Sequence, residues 1–408
     1  MPILGRVGDW LDERTGWRAS LRRGIEHPAV GGPFWGRAIG AAVATCVGVL
    51  AVTGIALMTS YAPSPQSAWA SVHYLQAVQG GGWIVRGLHS WAAQALFLLA
   101  ALHVFYVAWT GGYRAPRELS WWLTLLIVAL AVGGGITGGL LPWDQRGWWA
   151  RVVEGNITGL APLVGTYLQR MMAGGTELGA LGLSRAFTAH VIILPIALVG
   201  ALLARRALAR RGALPRSPAD AGNADGRARQ LAVVAGVATL VILALFVLTA
   251  WTHGAPLDAP ADPLSDYPAR PEWFLLSMFE LRKMFHGAAE FWGTSLVPMA
   301  AAGYLAVLPF IDRGEDARKG RRCALARAPL VAIFAGAITL SVVAEVHDAR
   351  DRVYQKERAK ADVLATAAGR LAMGGVPPAG ALDMVRWDPE LRGRDLFDRH
   401  CASCHVLG

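Results

Sequence analysis

Seven stretches of the chain are almost wholly apolar over the roughly 20 residues that a helix needs to cross a bilayer. They lie near 38–60, 84–109, 119–141, 184–204, 231–251, 291–311 and 328–345, with at most one charged side chain in each. Their Gly, Ala, Leu and Val content suits helices packed closely in lipid. The pattern predicts an all-α membrane protein of seven transmembrane helices. Residues 1–37 mix Arg6, Arg14, Arg18, Arg22, Arg23 and Arg37 with Trp10, Trp17 and Trp35. They read as an amphipathic surface segment, not a cleavable signal peptide. A stretch rich in Arg, Pro, Gly and Asp at 205–230 separates four spans from three. The expected domains are therefore 1–37, a four-helix unit at 38–211, a linker at 212–230, a three-helix unit at 231–346 and an extension at 347–408.

Composition narrows the class. Hydrophobic residues make up 54% and charged residues 17%, against about 25% charged in ordinary soluble domains. Disordered and fibrous chains and soluble enzymes are excluded, and neither a Walker loop nor a dinucleotide fingerprint is present. The net charge of +10 would suit a nucleic-acid binder if it were clustered. It is sorted by side instead: the segments 1–37, 110–120, 205–230 and 312–327 carry 21 Lys and Arg, while 61–82, 142–185 and 252–290 carry 7. By the positive-inside rule the N-terminus is cytoplasmic and the tail beyond residue 346 lies outside a bacterial cytoplasmic membrane. No nucleic-acid partner is expected.

Of ten histidines, His89, His103 and His190 fall within spans. An ionisable residue in a membrane span is a functional candidate by default, although a lone one is as often a packing residue. His89 and His103 are fourteen residues apart, which sets them about 21 Å apart along one helix and within about 40° of one face. Haems ligated by histidine and stacked across a membrane need such spacing. The alternating direction of the spans puts His190 at the depth of His89, so one outer haem between His89 and His190 is a natural pairing.

Several stretches now converge. Trp83-Ile84-Val85-Arg86-Gly87-Leu88-His89, Pro116-Arg117-Glu118-Leu119, Leu141-Pro142-Trp143-Asp144-Gln145, Ala189-His190 with Leu194-Pro195, Asp262-Pro263-Leu264 and Pro271-Glu272-Trp273-Phe274 occur in this order. Together they resemble cytochrome b of the bc-type quinol oxidoreductases, above all the bf branch with its smaller three-helix subunit fused on. The resemblance covers about residues 1–346. It implies a four-helix haem-binding bundle followed by three further helices. It also implies quinol oxidation at the outer face, a Rieske-type iron–sulfur partner, a cytochrome c or similar acceptor, and a homodimer within a larger complex. Glu272 takes the role of proton acceptor, and Pro271, Trp273, Phe274 and Trp143 line the quinol pocket, with Trp148 and Trp149 nearby. Arg86 pairs with a haem propionate, and Gly40, Gly54 and Gly138 lie against the macrocycles.

The inner haem site departs from this pattern. His103 would need a second histidine fourteen or fifteen residues beyond His190, where Ala204 and Arg205 stand. Thr124 replaces the inner glycine of the third span, and Tyr106 the arginine expected three residues after His103. The inner b haem is therefore expected to be lost or abnormally ligated, unless His103 binds it with a water, quinone or foreign ligand. Arg205 could otherwise simply reach to the interface. The extra inner haem of the bf branch is not expected, since Ala38 stands where its cysteine would be, and Cys46 reads as a packing residue.

Cys401-Ala402-Ser403-Cys404-His405 is a c-type haem attachment motif, in which the cysteines form thioethers and His405 is the proximal ligand. A disulfide or half a zinc site is the alternative. Only three residues follow His405, so the natural chain is expected to continue into a cytochrome c domain. Residues 347–390 read as a helical extension and then a linker. The whole reads as a quinol:cytochrome c oxidoreductase subunit carrying haem b and haem c. The rival reading is a non-catalytic haem-bearing anchor that presents the tethered haem c.

Overall fold

The computed structural model describes residues 34–211, 224–290, 292–312, 321–402 and 404–405, together with Asp9. The expected amphipathic segment up to residue 33 and residues 212–223 of the linker lie outside the described residues. Within them the chain is helical, without a strand. In order come α1 (Phe34–Met58), α2 (Ala68–His73), α3 (Gly82–Thr110), α4 (Glu118–Leu140), α5 (Gln145–Gly159) and α6 (Gly165–Ala173). The fourth span, α7, covers Ala180–Leu208 and is followed by α8 (Ala224–Trp251), α9 (Leu276–Lys283), α10 (Val297–Ile311), α11 (Arg321–Arg350), α12 (Arg352–Ala372), α13 (Ala381–Arg386) and α14 (Pro389–His400).

Seven of the described helices, α1, α3, α4, α7, α8, α10 and α11, are long and apolar enough to cross a membrane. The expected all-α fold with seven spans stands. The first four spans meet around one core, in which Val43, Cys46 and Val47 of α1 pack with Leu96 of α3, Ile127 of α4 and Leu198 and Ala201 of α7. Cys46 is fully buried there, a packing residue as its position suggested. A second cluster joins the two halves at the other end of α3 and α4, where Val104, Ala108, Tyr113 and Trp121 meet Leu308 of α10 and Leu330 of α11. Asp312 closes that seam, accepting from Tyr113 Oη at 2.5 Å and from Arg114 Nε at 2.8 Å.

The tail differs from expectation. Residues 347–390 do not form a linker; α12, α13 and α14 fold back onto the loops at the His89 end of the bundle. Ala368, Ala372, Ala381 and Val385 bury against Trp69 and Ala259. His73 Nε2 lies 3.1 Å from the Gly369 carbonyl, and Arg386 Nη2 donates to Asp262 at 2.6 Å. Small alanines let these elements approach closely, so an apparently polar segment gains a buried face.

Candidate functional site

His89 on α3 and His190 on α7 face each other, with ring centroids 6.1 Å apart. A metal bonded to an imidazole nitrogen at about 2.0 Å sits roughly 3.1 Å from the ring centre, so two opposed ligands need a separation of about 6.3 Å. The observed distance fits an iron between the rings. His190 lies in a π turn, Ala189–Ile193, inside the fourth span, a local widening common at functional sites.

Each ring is oriented by a threonine. Thr53 Oγ1 donates to the Val49 carbonyl at 2.6 Å and lies 2.9 Å from His89 Nδ1. Thr137 Oγ1 donates to the Gly133 carbonyl at 2.7 Å and lies 3.2 Å from His190 Nδ1. A hydroxyl has one proton. With that proton given to the helix carbonyl, each threonine accepts from Nδ1–H, which leaves both Nε2 lone pairs for a metal. Glycines follow both threonines. A Cβ on Gly138 would lie 2.6 Å from His190 Cε1, and one on Gly54 would lie 3.2 Å from His89 Cε1. The sequence reading singled out the glycines and missed the threonines, although the Thr-Gly pair recurs at 53–54 and 137–138.

Arg86 is committed differently from its expected role. Its guanidinium donates to Gln76 Oε1 at 2.9 Å, to the Ala255 carbonyl at 2.5 Å and to the Pro256 carbonyl at 2.6 Å, tying α3 to the loop after α8. Close approach there needs Gly87, whose Cβ would lie 2.4 Å from Thr249 Cγ2.

Pro271-Glu272-Trp273-Phe274 docks on the same end of the bundle. A Cβ on Gly139 would lie 3.0 Å from Glu272 Oε1, and one on Gly135 would lie 2.7 Å from the Phe274 ring. Glu272 is therefore brought to the residue next to Gly138, against which His190 packs. Trp273 Nε1 donates to Gln94 Oε1, and Phe97 packs on Phe274 with centroids 4.6 Å apart. Burial raises the Glu272 carboxyl above its ordinary range; the Arg146 charge opposes this and that of Asp144 adds to it. Trp143 and Trp148 pack in a cluster with Leu140, Leu183, Ala186 and Ala261, and Trp143 accepts at its carbonyl from Ala261 N at 3.0 Å. Both sit beneath the loop as its support.

Asp144 caps α5 and braces the loop, accepting from Gly147 N at 2.8 Å and from Asp258 N at 3.1 Å. On α5, Glu154 and Arg151 form a buried pair at 3.4 Å, and Arg151 Nη2 donates to the Ile136 carbonyl of α4 at 2.9 Å. Burial pushes the Glu154 carboxyl up to about 7; Arg151 opposes the shift and Glu272 adds to it. Neither residue stood out in the sequence, where an (i, i+3) pair reads as a helix surface.

The inner site is different. A cleft of about 300 Å³ is lined by Gly40, Val43, Ala100, His103, Thr124, Ile127, Leu202 and Arg205. A Cβ on Gly40 would meet nothing within 4 Å. Arg205 Nη2 lies 2.7 Å from His103 Nε2, so the guanidinium is turned into the bundle, away from the interface. Thr124 donates to the Ser120 carbonyl at 2.9 Å. These residues do not fit a haem held by two histidines: the one histidine has its Nε2 hydrogen-bonded to a cation, and Arg has no free lone pair to offer a metal. At the other end of the chain, Cys401 and Cys404 are exposed on the turn that ends α14, with His405 N donating to the Cys401 carbonyl at 2.9 Å.

The model of the cytochrome b/b6/petB family matches residues 28–211. Cytochrome b6 of Synechococcus elongatus is 35% identical over 195 residues, covering 47% of this chain and 89% of that protein. The chain belongs to the cytochrome b/b6 family. As a cytochrome b it is a haem-binding, multi-pass electron-transport protein, and the His89/His190 pair is the part of it built for haem b. A chain of a structure described as a hyperthermophilic respiratory Complex III is similar in fold, with a TM-score of 0.66 at 23% identity over 93% of this chain and all of that one. That likeness reaches well past residue 211, so the last three spans and part of the tail share a known arrangement.

Proposed function

We propose that this cytochrome b oxidises quinol at its outer face, within a bc-type complex that includes an iron–sulfur protein and a cytochrome c or similar acceptor. The observation that carries the reading is the placement of Glu272 at Gly139, one residue from Gly138 and the His190 ring. A proton acceptor and an electron-acceptor site thus share one turn of α4. Glu272, kept dry enough to hold a raised pKa, takes a proton from a quinol hydroxyl. Phe97, Trp273 and Phe274 supply an aromatic wall for the ring. Haem b held by His89 and His190 supplies one-electron chemistry beside it.

The reading includes a single b haem, because Arg205 closes the inner site to histidine ligation. Both electrons of the quinol then leave on the outer side. Cys401 and Cys404 would hold haem c as thioethers, with His405 as ligand, on that same side. Residues 38–211 form the haem domain in this reading and 231–346 complete the quinol pocket. The seven spans would place the N-terminus in the cytoplasm and the tail in the periplasm.

Two measurements on the purified complex test this. Pyridine haemochrome analysis should give one b and one c haem per chain. Quinol:cytochrome c turnover should fall on the order of 10²-fold in Glu272→Gln. Turnover unchanged in that variant would leave the haem-bearing anchor as the better account.

A further inference from the structure

The buried Arg151–Glu154 pair has no part in the reading above, yet it stands beside the pocket. Arg151 is anchored to the Ile136 carbonyl and Glu272 rests at Gly139, so the two carboxylates meet α4 one helical turn apart, about 4.5 Å of rise. Glu154 is only 8% exposed, and its 3.4 Å contact with Arg151 is long for a charge-assisted bond, which favours 2.7–2.9 Å. We propose that Glu154 is the second proton-accepting carboxylate of the quinol pocket, receiving from Glu272 the proton taken from quinol. The inference rests on the assignment of Glu272.

The transfer is a simple exchange. The O–H bond of the Glu272 carboxyl breaks, one forms on Glu154, and no electron moves. Glu272 is returned to the carboxylate form needed for the next quinol, and Glu154 gives its proton to water. The surrounding charges allow it. Asp144 and Arg146 lie at the start of α5, Asp258 and Tyr267 on the loop above it, Arg170 on the exposed side of α6, and Arg151 against Glu154 itself. Arg151 keeps the ionised form accessible, while burial and Glu272 hold the carboxyl near neutrality.

The test uses the intact complex, following the pH dependence of quinol-driven haem b reduction from about pH 5.5 to 9. In the wild type the rate should rise with pH through about 7, as Glu154 ionises. Glu154→Gln should lose that limb and slow about tenfold above pH 7, while Glu154→Asp, which keeps a carboxylate, should recover the limb. If the Gln and Asp variants behave alike, whether both active or both inactive, the relay is overturned, because the carboxylate is then not what matters. A fully active Glu272→Gln would instead sink the assignment on which the relay rests. Loss of activity in Glu272→Gln with an unaffected Glu154→Gln would remove the relay alone.

Discussion

Arg205 Nη2 and His103 Nε2 stand 2.7 Å apart, and that contact sets two histidines of one helix on different paths. His89 has its Nδ1 facing a threonine oxygen and its Nε2 toward His190. His103 has its Nε2 taken by a guanidinium and its Nδ1 buried without a partner among the described residues. Fourteen residues of one helix separate a metal-ready imidazole from one that has become an acceptor for a cation.

Replacing the cation by a ligand should reopen the inner site. In Arg205→His the cleft that opens beside Gly40 faces two imidazoles, and the b-haem content should rise from one towards two per chain by pyridine haemochrome. A content that stays at one would assign the block to Thr124 and Tyr106.

The two outer glycines should differ in tolerance. Gly138→Ala puts a Cβ 2.6 Å from the His190 ring, whereas Gly54→Ala meets His89 at 3.2 Å, which a small shift relieves. Haem b loading, read from the absorbance of the reduced band, should collapse in the first and survive in the second.

Thr53→Val and Thr137→Val keep the side-chain shape and remove the acceptor for Nδ1–H. Loss of such an orienting partner costs metal sites about 10–100-fold in affinity. Haem b should therefore be lost more readily under a competing apo-haem acceptor, with helix content unchanged by circular dichroism.

Glu154 gives a pH signature in stability as well. Its folded-state pKa is raised from 4.5 to about 7, so the folded chain holds a proton that the unfolded chain releases. The favourable contribution is complete below about pH 4.5 and lost as pH rises through 7, on the order of 3 kcal/mol for this group. Thermal unfolding of the complex should show Glu154→Gln gaining stability over the wild type at pH 8 and little at pH 5.

Arg270 clasps Asp348 through two bonds, at 2.8 and 2.7 Å, with its guanidinium 4.2 Å from the Tyr354 ring centre. Arg270→Met should weaken the seat of the tail by about 1.5–3 kcal/mol, the usual worth of bonds to a charged group. Limited proteolysis should then cut within 351–380 faster than in the wild type, while His89/His190 haem binding persists.

Much of this was legible in the sequence, for physical reasons. Runs of about 20 apolar residues have few fates other than crossing a bilayer, and the His89–His103 interval marks a helix face whatever surrounds it. The exchange of histidine for Arg205 was equally visible, but not its direction: a long cation near a helix end can reach outward to the interface or inward to a partner, and only the structure shows that it reaches inward. Thr53 and Thr137 were hidden because the value of a hydroxyl depends on which ring nitrogen it meets. The docked tail was hidden because Ala368 and Ala372 look like ordinary helix formers until Trp69 and Ala259 cover them.

That docking changes what the tail is. Arg270–Asp348, Arg358–Asp258 at 3.2 Å and Arg386–Asp262 fasten α11, α12 and α13 to the loop that leads into Glu272. Loop position and arm position become one thermodynamic coordinate, and coupling of this kind is reciprocal. A partner that pulls on the Cys401–His405 end must alter occupancy at Glu272 by the same factor by which that occupancy alters the partner's grip.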